Sequence, residues 1–280
     1  MRKNVKQQLA LRVLSTAALM AMVSSIATAA FAAEYNVKDG SVEIVAKDGI
    51  QSITQRDDTG AFVKDEKGDI DHRQDDDIIL TTKNKDTGET ETTSNTVTIT
   101  AEEKGDTANV TLQDVHIEVN TTDAKSGAIE IKGDGDTNLE LNGDNTVLSG
   151  DSYHAAIEKA DKNGTGTLTI KDDKNDDRSD KDKDENGNAV GRDTGKLLAG
   201  GNYAGAGIGG GSSSNDLADT SNITIKGGEV TARSGYDYSA GIGGGSDGRN
   251  SDSNGKNITI TGSTVTAKRW RSHWRRLSGR

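Results

Sequence analysis

A glycine-rich unit occurs twice in this chain, each time in step with a short alternating strand. Gly205-Ala206-Gly207-Ile208-Gly209-Gly210-Gly211 returns as Ser239-Ala240-Gly241-Ile242-Gly243-Gly244-Gly245. Asn-Ile-Thr-Ile follows each unit, at 222–225 and 257–260, and Val-Thr-Ala comes next, at 230–232 and 265–267. Self-similarity on this scale marks folds built from stacked units, because one unit cannot bury its apolar face alone.

The repeat reaches further back than the glycines. Taking the second apolar residue of each such strand as a marker gives Leu112, Leu141, Ile170, Ile225 and Ile260. The first two intervals are 29 residues, the next is 55, or one period plus a 26-residue insertion, and the last is 35. Three places before each marker stand Asn109, Asn138, Thr167, Asn222 and Asn257, which predicts a column of stacked asparagines. Two places before stand Val110, Leu139, Leu168, Ile223 and Ile258, with polar residues between, so apolar side chains face in and polar ones face out.

A second strand is expected at Val115–Val119, Thr146–Leu148, Leu197–Ala199, Val230–Ala232 and Val265–Ala267. A third carries Ile129, Ile157, Ile208 and Ile242, with small residues suited to tight backbone around the last two. The expected fold is all-β, a right-handed parallel β-helix with three short strands per coil, truncated at its C-terminus. Residues 33–94 read as an N-terminal cap or first coil, with strands at Ser41–Val45 and Ile78–Thr82. Between them Arg56–Asp77 reads as a polar loop with turn signals at Thr59-Gly60 and Lys67-Gly68. The repeats proper span 95–267 and carry an acidic insertion over 171–195.

Residues 1–32 read as a secretory signal: Arg2, Lys3, Lys6 and Arg12, then an apolar run, then the cleavage pattern Ala30-Phe31-Ala32. Export predicts an extracellular protein, either free or at the cell surface, with no membrane insertion after cleavage. There are no cysteines, so packing, ladders or metal must hold the exported fold; the absence of proline suits continuous ladders. The net charge is −11; setting aside four basic residues of the leader and six of 268–280 leaves −21 for residues 33–267. A body this acidic repels nucleic acid and attracts cations. The basic, Trp-containing stretch 268–280 breaks the pattern. One choice of codons for it, read one nucleotide out of step, encodes Gly-Gly-Ala-Ala-Ile-Gly-Gly-Gly, so a frameshifted or truncated reading frame is expected, and the nucleotide sequence checks it.

Within the insertion, Asp182, Asp184, Asn186, Gly187, Asn188 and Asp193 fall as in an EF-hand-type calcium loop, with oxygen ligands at alternate places, glycine at the sharp turn and a carboxylate at the twelfth position. The last place usually holds Glu, and Asp193 reaches less far. The expected metal ligands are Asp182, Asp184, Asn186, Asn188 and Asp193, and calcium is the expected cofactor. The bland alternative is a solvated acidic loop. Tyr153, Tyr203 and Tyr238 precede the third-strand isoleucines by four, five and four residues, which predicts rings along one edge that stack on sugars or on one another. Histidines 72, 116, 154 and 273 lack catalytic or metal-binding spacing, and no catalytic constellation stands out, so no enzyme is expected.

Asn109-Val-Thr-Leu-Gln-Asp-Val-His-Ile117, Asn138-Leu-Glu-Leu-Asn-Gly-Asp-Asn-Thr-Val-Leu148, the Gly205–Gly211 unit and Asn222-Ile-Thr-Ile together resemble secreted bacterial β-helical proteins described as carbohydrate-binding domain-containing, from Gram-positive anaerobes. The resemblance covers about residues 95–267. It implies a non-catalytic, calcium-associated binder of plant cell-wall polysaccharide such as cellulose or pectin. The long acidic insertion and the tail depart from that group. Two alternatives stay open: a structural stalk or adhesin of the cell surface, and a polysaccharide lyase, although an Arg-x-Pro-x-x-Arg motif of the pectate-lyase kind is impossible without proline.

Overall fold

A computed structural model describes residues 33–119, 127–150, 153–160, 165–172, 195–202, 204–212, 218–235, 239–246 and 253–269. These residues form an all-β structure whose strands cycle through three parallel sheets. Ile129–Lys132 joins the third sheet, Asp136–Asn142 the first and Asp144–Ser149 the second. Ile157–Glu158, Leu168–Lys171 and Lys196–Gly200 repeat that order, as do Ile208–Gly209, Thr220–Lys226 and Glu229–Ser234. Ile242–Gly243, Gly255–Ile260 and Thr264–Arg269 form the last such round. The second-sheet strand therefore runs two residues beyond Ala267.

The core is a set of apolar columns along the stacking direction. In the third sheet Val42, Val97, Ile129, Ile157, Ile208 and Ile242 are paired in succession. The repeat thus begins at Val42, earlier than the spacing of markers suggests. In the second sheet Ile117, Val147, Ala199, Ala232 and Ala267 are aligned. Ile44, Ile99, Leu112, Leu141, Ile157, Ile170 and Ile225 are fully buried, and each large aliphatic side chain withdrawn from water contributes about 1.5–3 kcal/mol.

The first sheet corrects the sequence-based register. Leu141 pairs with Leu112 as expected, but Ile170 pairs with Leu139, and Leu168 with Thr137. The strand is displaced by two residues, so Thr169, not Thr167, faces Asn138. A slip of two keeps every side chain on its face, whereas a slip of one would reverse them all. The asparagine column is consequently two separate pairs. Asn138 Nδ2 donates to Asn109 Oδ1 at 2.9 Å, and Asn257 Nδ2 to Asn222 Oδ1 at 2.9 Å.

One inward polar residue stitches rounds together. Asn145 is buried at the start of its strand. Its Oδ1 accepts from Val115 N at 3.0 Å, and its Nδ2 donates to Asn142 O and Lys196 O, both at 3.1 Å. Both its N–H groups and its oxygen are engaged within three successive rounds, which offsets the penalty of burying an amide.

The N-terminal end is closed differently. Ser41–Lys47 turns at Asp48-Gly49, with φ of 52° and 74°, into antiparallel Ile50–Arg56, which pairs in turn with Arg73–Gln74. Asp-Gly with both φ positive is the turn whose twist suits a two-residue hairpin. Buried glutamines finish the closure. Gln51 accepts from Asn109 N at 2.6 Å and donates to Asn109 O at 3.1 Å and Asp75 O at 2.9 Å, behaving as a peptide unit against a strand edge. Gln55 donates to Asn36 O at 2.7 Å and Gly40 O at 3.0 Å. The expected turns at Thr59-Gly60 and Lys67-Gly68 are present, with Gly60 and Gly68 at positive φ.

Candidate functional site

The two glycine units and residues 153–159 lie at equivalent places beside the third sheet, because Ile157, Ile208 and Ile242 are in register. Within each glycine unit an alanine amide closes a small loop: Ala206 N donates to Gly210 O and Ala240 N to Gly244 O, both at 3.0 Å. The equivalent amide of Ala155 donates instead to Glu158 Oε2 at 2.9 Å. A side-chain carboxylate here replaces a main-chain carbonyl. Glu158 is 2% exposed, and His154 Nδ1 lies 2.9 Å from the same oxygen and 3.2 Å from Oε1. Neither His154 nor Glu158 stands out in the sequence by motif or spacing. The only available signal was that Glu158 stands where Gly209 and Gly243 stand in later rounds.

Successive loops bind one another as well. Ser212 N donates to Tyr153 O at 2.5 Å, and Ser246 N to Ala204 O at 2.8 Å. The glycines are required by this closeness. A Cβ on Gly211 would fall 2.6 Å from Glu158 Oε2 and 2.7 Å from Tyr153 O, and one on Gly245 would collide with Gly211 O. The result is a shelf of main chain lying on main chain, braced underneath by a buried carboxylate with an imidazole beside it. Both carboxylate oxygens have partners, and Glu158 holds the loop in place.

Tyr153 stands at the rim of this shelf, 63% exposed. Counting back from the paired isoleucines, Ala204, not Tyr203, occupies the place of Tyr153 in the next round, and Ala204 is buried. Tyr203 and Tyr238 lie outside the described residues. So do Asp182, Asp184, Asn186, Asn188 and Asp193.

The point where the acidic insertion leaves and returns is described. Lys171 pairs with Glu140 and Lys226, and Lys196 with Asp144 and Glu229, so the sheets continue undisturbed on both sides. Gly195 N donates to Asp172 Oδ2 at 3.1 Å, which pinches the neck. The next round turns the same corner with Gly227-Gly228 alone, and those two glycines lie against Asp172 and Gly195. Corners of this kind use left-handed backbone: Asp114, Gly143, Gly228 and Gly262 have φ of 49°, 65°, 74° and 63°. Among the described residues no group of three or more His, Asp or Glu side chains is placed to hold a metal ion.

No family model matches the chain, and no curated protein or solved structure matches it.

Proposed function

We propose that this chain is a secreted, non-catalytic carbohydrate-binding protein with the right-handed parallel β-helical fold, recognising cell-wall polysaccharide with calcium assistance. The fold reading is supported by the order of third, first and second sheet that recurs from Ile129 onward with parallel pairing. The binding reading is carried by one observation: Tyr153, 63% exposed, stands at the rim of a main-chain shelf that holds its carbonyl through Ser212 N. A ring offers a flat apolar face and a hydroxyl, the combination that packs on a pyranose while bonding its edge. A preformed shelf lowers the ordering cost of binding. Weak contacts repeated along stacked rounds would add up on a polymer though each alone is feeble. Calcium is assigned to the insertion by its ligand spacing and by the −21 charge of residues 33–267.

Affinity electrophoresis through gels containing pectin, cellulose derivatives or xylan, with and without chelator, tests this. Retardation by at least one polymer is expected, with a loss of tenfold or more in Tyr153→Ala. Free migration through every polymer would replace the reading with that of a surface stalk. Release of unsaturated sugars would replace it with that of a lyase.

A further inference from the structure

Equivalent loops of successive rounds are fastened by different chemistry. Ala206 and Ala240 donate to the main-chain carbonyls of Gly210 and Gly244, which do not titrate. Ala155 donates to a carboxylate, Glu158 Oε2, which does. One loop of the shelf therefore has a fastening that responds to protons, and it is the loop that carries Tyr153.

The fastening is held out of water. Side-chain exposure is 2% for Glu158 and 14% for His154, whose Nδ1 lies 2.9 Å from Oε2 and 3.2 Å from Oε1. An ionised carboxylate only accepts, so the Ala155 amide and the imidazole both donate to it. On one side the strand Ile129–Lys132 sets Glu130 opposite Glu158, and Glu130 is paired with Lys132 Nζ at 2.9 Å. On the other side Gly209 is in register with Glu158 and Gly211 lies against Oε2, and neither carries charge. Lys159, also buried, follows in the chain.

As pH falls, imidazoles ordinarily take up a proton before carboxylates do. The neutral imidazole donates Nδ1–H to Glu158; the imidazolium makes the stronger, charge-assisted contact. Once the carboxylate is protonated as well, a nearly buried imidazolium loses its counter-charge and the acid offers fewer acceptor sites to two donors. We propose that the His154–Glu158 pair is an acid-release switch, in which protonation of the carboxylate unfastens residues 153–158 while the loops of the glycine units stay closed. Tyr153 O is bonded to Ser212 N, and Gly211 lies against Oε2, so the release reaches the rim where the exposed ring stands. Applied to sugars, the switch rests on the function proposed above, and bound polymer is let go in acid.

Amide hydrogen exchange on the full chain reads the fastening directly, with Ala206 and Ala240 as internal references. Between about pH 7 and about pH 4, protection of Ala155 relative to those two amides should fall at least tenfold and recover on neutralisation. Glu158→Gln turns an amide N–H₂ toward His154, so the loss should move to the milder acidity at which imidazole protonates. The double variant His154→Gln, Glu158→Gln has neither titrating group and should show no loss. If Ala155, Ala206 and Ala240 lose protection together, the whole fold yields to acid and the proposal is overturned. Constant relative protection in the natural chain, or a loss that survives in the double variant, overturns it too. A second arm repeats affinity electrophoresis through pectin, a cellulose derivative and xylan at both pH values. Release in acid by the natural chain and not by the double variant is expected, and equal release by both would break the link to binding. The exchange arm needs no sugar, so a chain that binds none of the polymers refutes the function proposed above while the amides still decide the switch.

Discussion

Deleting residues 173–194 should stabilise this protein. The cut joins Asp172 directly to Gly195, leaving Lys171-Asp172-Gly195-Lys196, which matches the two-residue corner Lys226-Gly227-Gly228-Glu229 of the following round. The strands on either side already hold their final register, and the neck is already closed by the bond between Gly195 and Asp172. Folding the intact chain must close a loop of 24 residues at this corner, whereas the shortened chain closes one of two. Closure entropy rises as the logarithm of length, so the difference is about 2 kcal/mol in favour of the deletion. For a domain of this size that raises Tm by about 4–8 °C. Gly195 takes the place of Gly228, with φ of 74°, without strain, whereas Asp172 takes that of Gly227, with φ of 122°, so the deletion is made together with Asp172→Gly. Differential scanning calorimetry without added metal measures the shift. Calcium titration of both forms belongs in the same experiment, since any binding heat of the intact chain should vanish in the deletion. A fall in Tm without metal would refute the reasoning, because it would mean that the insertion packs on the sheets and stabilises them.

Gly245→Ala should cost about 1–3 kcal/mol in urea unfolding, since a methyl there must displace the Gly211 carbonyl of the round before. Gln51→Leu should destabilise by about 1–3 kcal/mol or more, because the Asn109 amide and carbonyl lose their partner under an apolar side chain, and hydrogen exchange at Asn109 should accelerate. Tyr35 donates to Asp75 at 3.0 Å, and burial followed by the Asp75 charge raises its phenol pKa. A raised folded pKa means that stability is intact below the unfolded value of about 10 and falls as pH climbs beyond it, so Tyr35→Phe should flatten the alkaline limb of a stability profile. Asp65 is held below its usual range chiefly by its paired contact with Arg73, and Asp57 by the Thr59 hydroxyl. Their contribution is present above about pH 4 and is lost as pH drops through the folded values, so residues 57–75 should become susceptible to acid-active protease before the repeats do.

The sequence revealed repetition more faithfully than register. Ile208 and Ile242 were legible because the glycine unit pins the count on either side, and with Ile129 and Ile157 they are paired as read. Ile170 was misaligned because strands have a side-chain period of two. Intervals of 29 and 31 residues place the same residues inside, and only the hydrogen-bond ladder distinguishes them. Val42 and Val97 continue the same column, but no glycine unit and no Asn-Ile-Thr-Ile strand marks their rounds. The braces were illegible for another reason. Gln51 acts on Asn109 across 58 positions, and Glu158 performs with a side chain what later rounds do with a carbonyl, so neither leaves a periodic trace. Tyr153 was placed by its spacing from Ile157, but the residue above it was not, because Ala204 and Tyr203 are neighbours and one position decides which of them aligns.

A stack whose first rounds are braced by Gln51 and Gln55 has a built-in order of assembly. Each strand of a later round rests on one about thirty to fifty residues earlier, as Asn138 rests on Asn109 and Ile208 on Ile157. Nothing downstream is needed to complete the hairpin of Ser41–Lys47 and Ile50–Arg56, and the Asn109 strand then lies against it through Gln51. A chain emerging from its N-terminus at about 5–20 residues per second delivers a new round every few seconds, whereas a hairpin forms in microseconds. Each round can therefore be laid on a finished template before the next arrives. The glutamine-sealed end acts as the seed, and folding becomes templated growth in one direction.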